Sequence, residues 1–245
     1  MAASAAPDRA RNKDPRKSSK ICEHLPYSGK EAYKRLRTNV TIALAEAGEK
    51  KCRIIGVTSA QPAEGKSTTT INLAYSLAEL GKSVLLIDGD MRRPSIHTKV
   101  GAKLSPGLTD ILLGSVNLKD TIFRYQSQTD SICFDLITGG GTAEHPSELL
   151  NSGNFQRLIE VVAGVYDYVL IDLPPVNAVV DAVNASQYTD GLVIVIRERH
   201  CPRYVLDSCV EQLQFAKANI LGFVMNGCVD GAGKHYYYNA YRYDK

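Results

Sequence analysis

Lys66 and Ser67 stand in a short stretch, residues 60–68, whose residue types suit phosphate binding. An apolar run at residues 52–57 precedes it, and apolar residues at helical spacing follow it. Where a buried strand leads through a tight loop into a helix, backbone N–H groups at the helix N-terminus cradle phosphate oxygens. Lys66 would then neutralise the β- and γ-phosphates, and the Ser67 hydroxyl would ligate Mg²⁺. The stretch therefore predicts a nucleotide-binding loop.

This loop offers eight consecutive residues to the nucleotide: Gln61, Pro62, Ala63, Glu64, Gly65, Lys66, Ser67 and Thr68. Gly65 allows the backbone to approach the phosphate oxygens closely. Ala60 takes the place of the first glycine in the usual pattern, which exchanges one small residue for another. The alternative, a helix N-terminus with an incidental lysine, leaves the flanking strand and helix unexplained.

Three aspartates follow two further apolar runs. Asp172 closes the run at residues 168–171, whereas Asp88 and Asp90 follow the run at residues 83–87. One carboxylate can hold a metal ion while another orients or deprotonates an attacking hydroxyl or water. A single aspartate at a strand end is usually a cap or turn residue, but three beside a phosphate loop favour catalysis. We predict that the catalytic residues are Lys66, Asp88, Asp90 and Asp172, and that the metal ligands are Ser67, Asp88 and Asp172.

Apolar runs of strand length alternate with segments of helical periodicity along the chain. Near-continuous apolar strands alternating with helices predict a single α/β domain, a mostly parallel sheet with helices on both faces. Ligands of such sheets bind beyond the carboxyl ends of the strands. We place this domain at residues 27–230. Its last apolar run ends at Asn226. Asn226 is a candidate for reading the adenine edge, with an ordinary turn asparagine as the alternative.

The first 26 residues are rich in lysine and arginine and contain almost no large apolar side chain. They predict a disordered basic arm, either solubilising or docking to a membrane surface or partner. The whole-chain net charge of +3 is too small to indicate a nucleic-acid partner. No apolar run approaches the roughly 18 residues of a membrane span, and no signal peptide is visible, so we expect a cytoplasmic protein. The six scattered cysteines are expected to be buried thiols.

Three motifs together resemble the bacterial protein-tyrosine kinases that govern capsule and exopolysaccharide production. They are the loop at residues 60–67, a second Walker A-like motif at residues 85–92 and a Walker B motif at residues 169–175. The resemblance implies a P-loop NTPase fold, ATP and Mg²⁺ as cofactors and transfer of phosphate to protein tyrosine. It also assigns Arg92, the last residue of the second motif, to nucleotide binding.

A predicted helix at residues 31–47 resembles the family helix that packs into a neighbouring subunit to build a ring. By composition its charged face is merely solvated. The resemblance assigns Glu31, Lys34 and Arg37 to the oligomer interface. Lys34 stands where the family has arginine, and lysine lacks the planar fork that binds a carboxylate through two hydrogen bonds.

The last 15 residues, 231–245, resemble the family's flexible, tyrosine-rich autophosphorylation tail. The expected acceptors, presented in trans to a neighbouring subunit, are Tyr236, Tyr237, Tyr238, Tyr241 and Tyr243. A strand burying alternate aromatics is the alternative, but three consecutive tyrosines do not alternate. The chain resembles the split form of the family, which implies a separate membrane-anchored activator that brings it to the inner face of the cell membrane.

Other functions fit this fold less well. Partition and septum-placement ATPases carry a signature lysine where this chain has Gln61, and they lack a tyrosine tail. An iron–sulfur scaffold of the same fold would need a C-terminal cysteine pair. A non-enzymatic interaction module would not need the intact set of catalytic residues.

Overall fold

The computed structural model describes residues 21–45, 48 and 50–228. The basic arm up to residue 20 and the tyrosine tail lie outside the described residues. The strands are β1 (Arg53–Ser59), β2 (Val84–Asp88), β3 (Ile122–Gln126), β4 (Cys133–Ile137), β5 (Tyr168–Asp172), β6 (Gly191–Arg197) and β7 (Ile220–Asn226). The α-helices are α1 (Tyr27–Ala45), α2 (Lys66–Ala78), α3 (Ile96–Val100), α4 (Leu108–Leu112), α5 (Pro146–Leu150), α6 (Gly153–Ala163), α7 (Asp181–Ser186) and α8 (Arg203–Phe215).

The seven strands form one sheet in the order β3-β4-β2-β5-β1-β6-β7. Every neighbouring pair is parallel except β3 with β4. Asp172 at the end of β5 is the register partner of Asp88 on one side and of Val57 on the other. Parallel pairing therefore brings both aspartates and the loop after β1 to the same edge of the sheet.

Successive residues of the central strands face opposite layers of helices. On β5, Val169 and Ile171 join the core that includes α4 to α8, whereas Leu170 joins the core that includes α1, α2 and α3. Because both faces are covered, the strands are apolar almost throughout. The predicted fold class, a mostly parallel sheet with helices on both faces, is confirmed.

The predicted disordered arm extends too far along the chain. A 3₁₀ turn spans Cys22–His24, and Ile21 is buried against the core on the α2 face. The buried carboxylate of Glu23 accepts a hydrogen bond of 2.8 Å from the Tyr125 hydroxyl, 102 residues away. Sequence patterns do not report such a distant partner, so the ordered region begins before residue 27.

Two segments differ from what their sequence pattern predicts. The pattern of residues 118–123 predicts a short helix, but they form a 3₁₀ turn followed by β3, because pairing with β4 extends the backbone there. The pattern of residues 145–162 predicts one continuous helix, but the structure has two, because the Ser152 side chain caps a new start by accepting from the Phe155 N–H. Cys52 and Cys209 are buried and Cys228 is exposed, so the expected burial of the thiols is correct for part of the set.

No helix among the described residues is both long enough and apolar enough to cross a bilayer.

Arg37 is not part of a solvated face, contrary to the prediction for this helix. Its guanidinium donates to the Ser76 carbonyl at 2.5 Å and to the Glu79 carboxylate at 3.1 Å, and 12% of the side chain is exposed. Lys34 instead pairs with Glu31 on the same helix, at 3.1 Å. Arg37 therefore fastens α1 to the last turn of α2, where carbonyls at a helix end need donors from outside the helix and Ser76 finds one in Arg37.

Replacing Arg37 by alanine is expected to destabilise the fold by about 1–2 kcal/mol, because a carbonyl and a carboxylate both lose a donor. Urea unfolding followed by circular dichroism measures this change. Lys34→Ala is the matched control on the same helix, and its unfolding midpoint should stay near that of the parent. An Arg37→Ala variant as stable as the Lys34→Ala variant would contradict the proposed link between helices.

Candidate active site

The loop between β1 and α2 turns through two residues with positive φ. Ala63 has φ of 66° and Gly65 has φ of 96°. A β-carbon on Gly65 would lie 2.0 Å from the side-chain nitrogen of Asn226, so only glycine fits there. Left-handed residues at alternate positions of a loop make a concave row of backbone N–H groups, which is an anion-binding shape. The loop therefore has the backbone shape of a phosphate-binding loop.

Glu64 and Gln61 point away from the space that this loop encloses. The fully buried Glu64 carboxylate accepts hydrogen bonds from the backbone N–H groups of Gln61, at 3.0 Å, and Arg197, at 3.4 Å. The Gln61 side chain donates to the His200 carbonyl. Both side chains thus brace the loop from behind, and any nucleotide contact of these two residues would be through the backbone.

Asn226 also contacts the loop from behind. Its side-chain amide donates to the Glu64 carbonyl at 3.1 Å, and its oxygen accepts from the Gly227 N–H. This contact explains why an asparagine stands at the end of β7, even without any role in adenine binding. Its role in reading the adenine edge stays a prediction.

Lys66 lies among the predicted catalytic carboxylates. Its Nζ is 2.8 Å from Asp90 Oδ2 and 3.6 Å from Asp172 Oδ2, and 12% of its side chain is exposed. Burial opposes the charge of Lys66, but the carboxylates of Asp172 and Asp90 outweigh burial and raise its pKa. The ammonium group is therefore charged and holds two of the three aspartates together.

Asp88 and Asp172 are fully buried side by side at the ends of β2 and β5. Burial, and next the negative charge of Asp172, raise the pKa of Asp88 to about 7. Burial likewise raises the pKa of Asp172, although Lys66 acts in the opposite direction. The ammonium group of Lys66 is thus shared by three carboxylates, and their remaining negative charge would attract a second cation.

The residues present fit Mg²⁺. Asp88 Oδ1 and Asp172 Oδ2 are buried oxygens without a hydrogen-bond partner among the described residues, although buried acceptors are usually satisfied. The Ser67 hydroxyl lies at the same edge, within 3.0 Å of the Ser95 hydroxyl. No set of three or more His, Cys, Asp or Glu side chains in the described part of the chain is arranged to hold a metal alone. Mg²⁺ commonly completes its octahedron with water and substrate phosphate, so few protein ligands suffice.

Two hydroxyl residues that sequence reasoning missed support the carboxylates. Thr70, one turn into α2, donates to Asp172 Oδ1 at 3.2 Å and to the Lys66 carbonyl at 2.8 Å. Ser95 and Ile96 donate their backbone N–H groups to Asp88 Oδ2, each at 3.1 Å. Thr70 lies one helical turn after Lys66. This spacing is the only signal in the sequence that could have indicated that Thr70 supports the site.

A cavity of about 700 Å³ opens above these groups. Of the predicted site residues, those that line it are Pro62, Ala63, Gly65, Lys66, Ser67, Thr68, Asp90 and Arg92. Basic side chains at its rim that the prediction omitted are Arg93 and Lys99. Asp88 and Asp172 lie beneath it, and Gln61, Glu64 and Asn226 lie behind the loop.

The match to known proteins agrees with this geometry. Residues 52–220 match the family described as AAA domain. The tyrosine-protein kinase YwqD of Bacillus subtilis is 35% identical over 197 residues, which cover 80% of each chain. The kinase domain of the Escherichia coli tyrosine kinase ETK superposes with a TM-score of 0.77 at 31% identity, over 85% of this chain and 79% of that one.

The chain is a bacterial protein-tyrosine kinase. Among its kinase relatives, it spans only 26% of the tyrosine-protein kinase ptk of Acinetobacter johnsonii, at 34% identity. The septum site-determining protein MinD of Pyrococcus horikoshii superposes with a lower TM-score, 0.54, at 26% identity. The likeness to the kinases is therefore the stronger one, and the partition-type alternative is weaker.

Proposed function

We propose that this kinase uses ATP and Mg²⁺ to phosphorylate its own C-terminal tyrosines and thereby regulates the synthesis and export of a capsular or extracellular polysaccharide. The observation that carries the proposal is the pair of buried oxygens of Asp88 and Asp172 that lack a hydrogen-bond partner among the described residues, next to Lys66 and beneath the phosphate-binding loop. This arrangement suits a metal-bound polyphosphate better than it suits any neutral ligand.

Mg²⁺ would be held by Ser67 and Asp172 with help from Asp88, and it would neutralise phosphate charge when bound. Lys66 would move its ammonium group from the carboxylates to the β- and γ-phosphates. Asp90 lines the cavity, and its carboxylate would accept the proton of a tyrosyl hydroxyl. The tyrosyl oxygen forms a bond to the γ-phosphorus, the bond to the bridging oxygen breaks, and ADP leaves with that electron pair.

The acceptor tyrosines would come from a neighbouring subunit of a homo-oligomeric ring. Glu31 and Lys34 are the positions of α1 that remain available for this contact, since Arg37 is engaged with α2. A separate membrane-anchored protein would activate the kinase and hold it at the inner face of the cell membrane. The longer relative supports such a connection, because there the kinase segment is joined to further sequence.

Incubation of the purified protein with ATP and Mg²⁺ tests the proposal. Phosphate should be located by mass spectrometry on Tyr236, Tyr237, Tyr238, Tyr241 and Tyr243. A variant with all five changed to phenylalanine should take up little phosphate, with the activator's cytoplasmic tail present in both reactions. ATP hydrolysis without any phosphotyrosine would instead favour the partition-type ATPase.

The same five-phenylalanine variant tests how the tail controls assembly. Each phosphotyrosine adds about −1.5 to −2 charges at pH 7, so three or more would reverse the net charge of +3. We expect native mass spectrometry to show that the parent oligomer dissociates after ATP addition, because phosphorylated tails repel one another. The phenylalanine variant should stay assembled. If it dissociates as readily as the parent, nucleotide turnover rather than tail charge controls assembly.

A further inference from the structure

Arg92 is held at the cavity wall by a buried aspartate far away in the sequence. Its Nε donates to Asp181 Oδ2 at 2.9 Å, and its Nη2 donates to Asp181 Oδ1 at 3.2 Å. Asp181 is the first residue of α7, and only 1% of its side chain is exposed, against 40% for Arg92. A two-point contact with a buried carboxylate fixes the plane of a guanidinium group, not only its position.

Ser147 completes a triangle with these two residues. Its hydroxyl accepts from Arg92 Nη2 at 3.0 Å and donates to Asp181 Oδ1. The three residues come from the segment after β2, from α5 and from α7, so the triangle joins three separate elements. If Arg92 swung away, a buried carboxylate would lose its cation and most of its donors, which is costly. The guanidinium is therefore held in one orientation before any ligand arrives.

One nitrogen of the Arg92 guanidinium group takes no part in the contacts of this triangle. The guanidinium has five N–H groups, and the contacts with Asp181 and Ser147 engage Nε and Nη2. Nη1, which carries two of the five, has no hydrogen-bond partner among the described residues. Arg92 lines the same cavity as Lys66, Ser67 and Asp90. A fixed arginine with a free end in a cavity built for polyphosphate is suited to an anionic oxygen.

We propose that Asp181 and Ser147 are positioning residues that aim Nη1 of Arg92 at the phosphoryl group during its transfer. This inference rests on the proposed function and deepens it. Charge spreads over the equatorial oxygens of that group in the transition state, and a pre-oriented guanidinium stabilises it without reorganising. Neither Asp181 nor Ser147 touches the substrate, and both act through Arg92. The inference therefore predicts that ADP, which lacks the γ-phosphate, gains no binding energy from the free end.

The test compares Asp181→Asn and Ser147→Ala with the parent enzyme in two measurements. Asparagine keeps the shape of the aspartate but loses the charge that attracts Arg92. We expect kcat for tyrosine phosphorylation to fall by about 10–100-fold in Asp181→Asn and by less in Ser147→Ala. Binding of β,γ-imido ATP, followed by calorimetry, should weaken in both variants, whereas ADP affinity should stay within about twofold of the parent value.

A double-mutant cycle with Arg92→Gln separates positioning from general support of the fold. If Asp181 acts through Arg92, Asp181→Asn should add little to the kcat loss of Arg92→Gln. Asp135→Asn is the matched control, because Asp135 lies 3.6 Å from Arg124 and does not line the cavity. Its kcat and its preference between the two nucleotides should equal those of the parent.

Additive losses of kcat, or an equal loss of affinity for ADP and β,γ-imido ATP, would overturn the inference in favour of a structural role. So would parent-like kcat in Asp181→Asn. If Asp181→Asn fails to fold, Ser147→Ala decides the same question without changing a charge. A parent enzyme without kinase activity in the presence of the activator's cytoplasmic tail would refute the proposed function, while the two nucleotide affinities would still decide the role of Asp181.

Discussion

Lys66→Met is expected to abolish phosphorylation of the tail, with a loss of at least about 10³-fold. Methionine keeps most of the length of lysine and removes the only cation within 4 Å of Asp90 and Asp172 in the described part of the chain. The β- and γ-phosphates would then meet three carboxylates without a neutralising group from the loop. Electrostatic repulsion would oppose both binding and transfer.

Phosphate incorporation measured by mass spectrometry, alongside circular dichroism for the fold, checks this result. The fold should persist, because protonation of the buried carboxylates can replace the lost cation. Lys82→Met is the matched control: Lys82 is exposed after α2 and is not among the residues that line the cavity. A folded Lys66→Met protein that labels its tail at the parent rate would remove this loop from the catalytic machinery.

Asp172→Asn is expected to lower the phosphorylation rate by about 10²-fold or more, chiefly through Mg²⁺. Asparagine can still accept the hydrogen bond of Thr70, so the end of β5 should remain in place. It removes the negative charge of the carboxylate whose Oδ2, without a hydrogen-bond partner among the described residues, is the atom that we assign to the metal. Mg²⁺ titrations of nucleotide binding should therefore shift to higher Mg²⁺ concentration, whereas Mg²⁺-independent binding should change little.

Asp88→Asn should be comparably harmful for a different reason. Asp88 Oδ2 accepts two backbone N–H groups at the start of α3, so substitution also weakens the support of Ser95 and Ser67. Asp120→Asn, an exposed aspartate outside the cavity, serves as the control for both variants. An unchanged Mg²⁺ requirement in Asp172→Asn would place the metal elsewhere.

Local patterns in the sequence were enough to predict the loop, the aspartates at the strand ends and the parallel sheet. Lys66 and Ser67 lie within a contiguous stretch, and the apolar patterns on its two sides predict a strand before it and a helix after it. Asp88 and Asp172 each follow an apolar run, and parallel strands place such residues at one edge. These inferences succeed because strand direction and the strand–loop–helix unit are properties of neighbouring residues.

Only the tertiary structure decided which charges find partners within the chain. Arg37 resembles a residue on a solvated helix face until α2 packs beside it and offers the Ser76 carbonyl. Asp181 reads as an ordinary residue at a helix start, and its ion pair with Arg92 joins positions 89 residues apart. The order of Ile21 depends in the same way on distant packing. Helical and strand periods describe which face of an element is apolar, whereas the partner of a buried charge is fixed by how those elements dock.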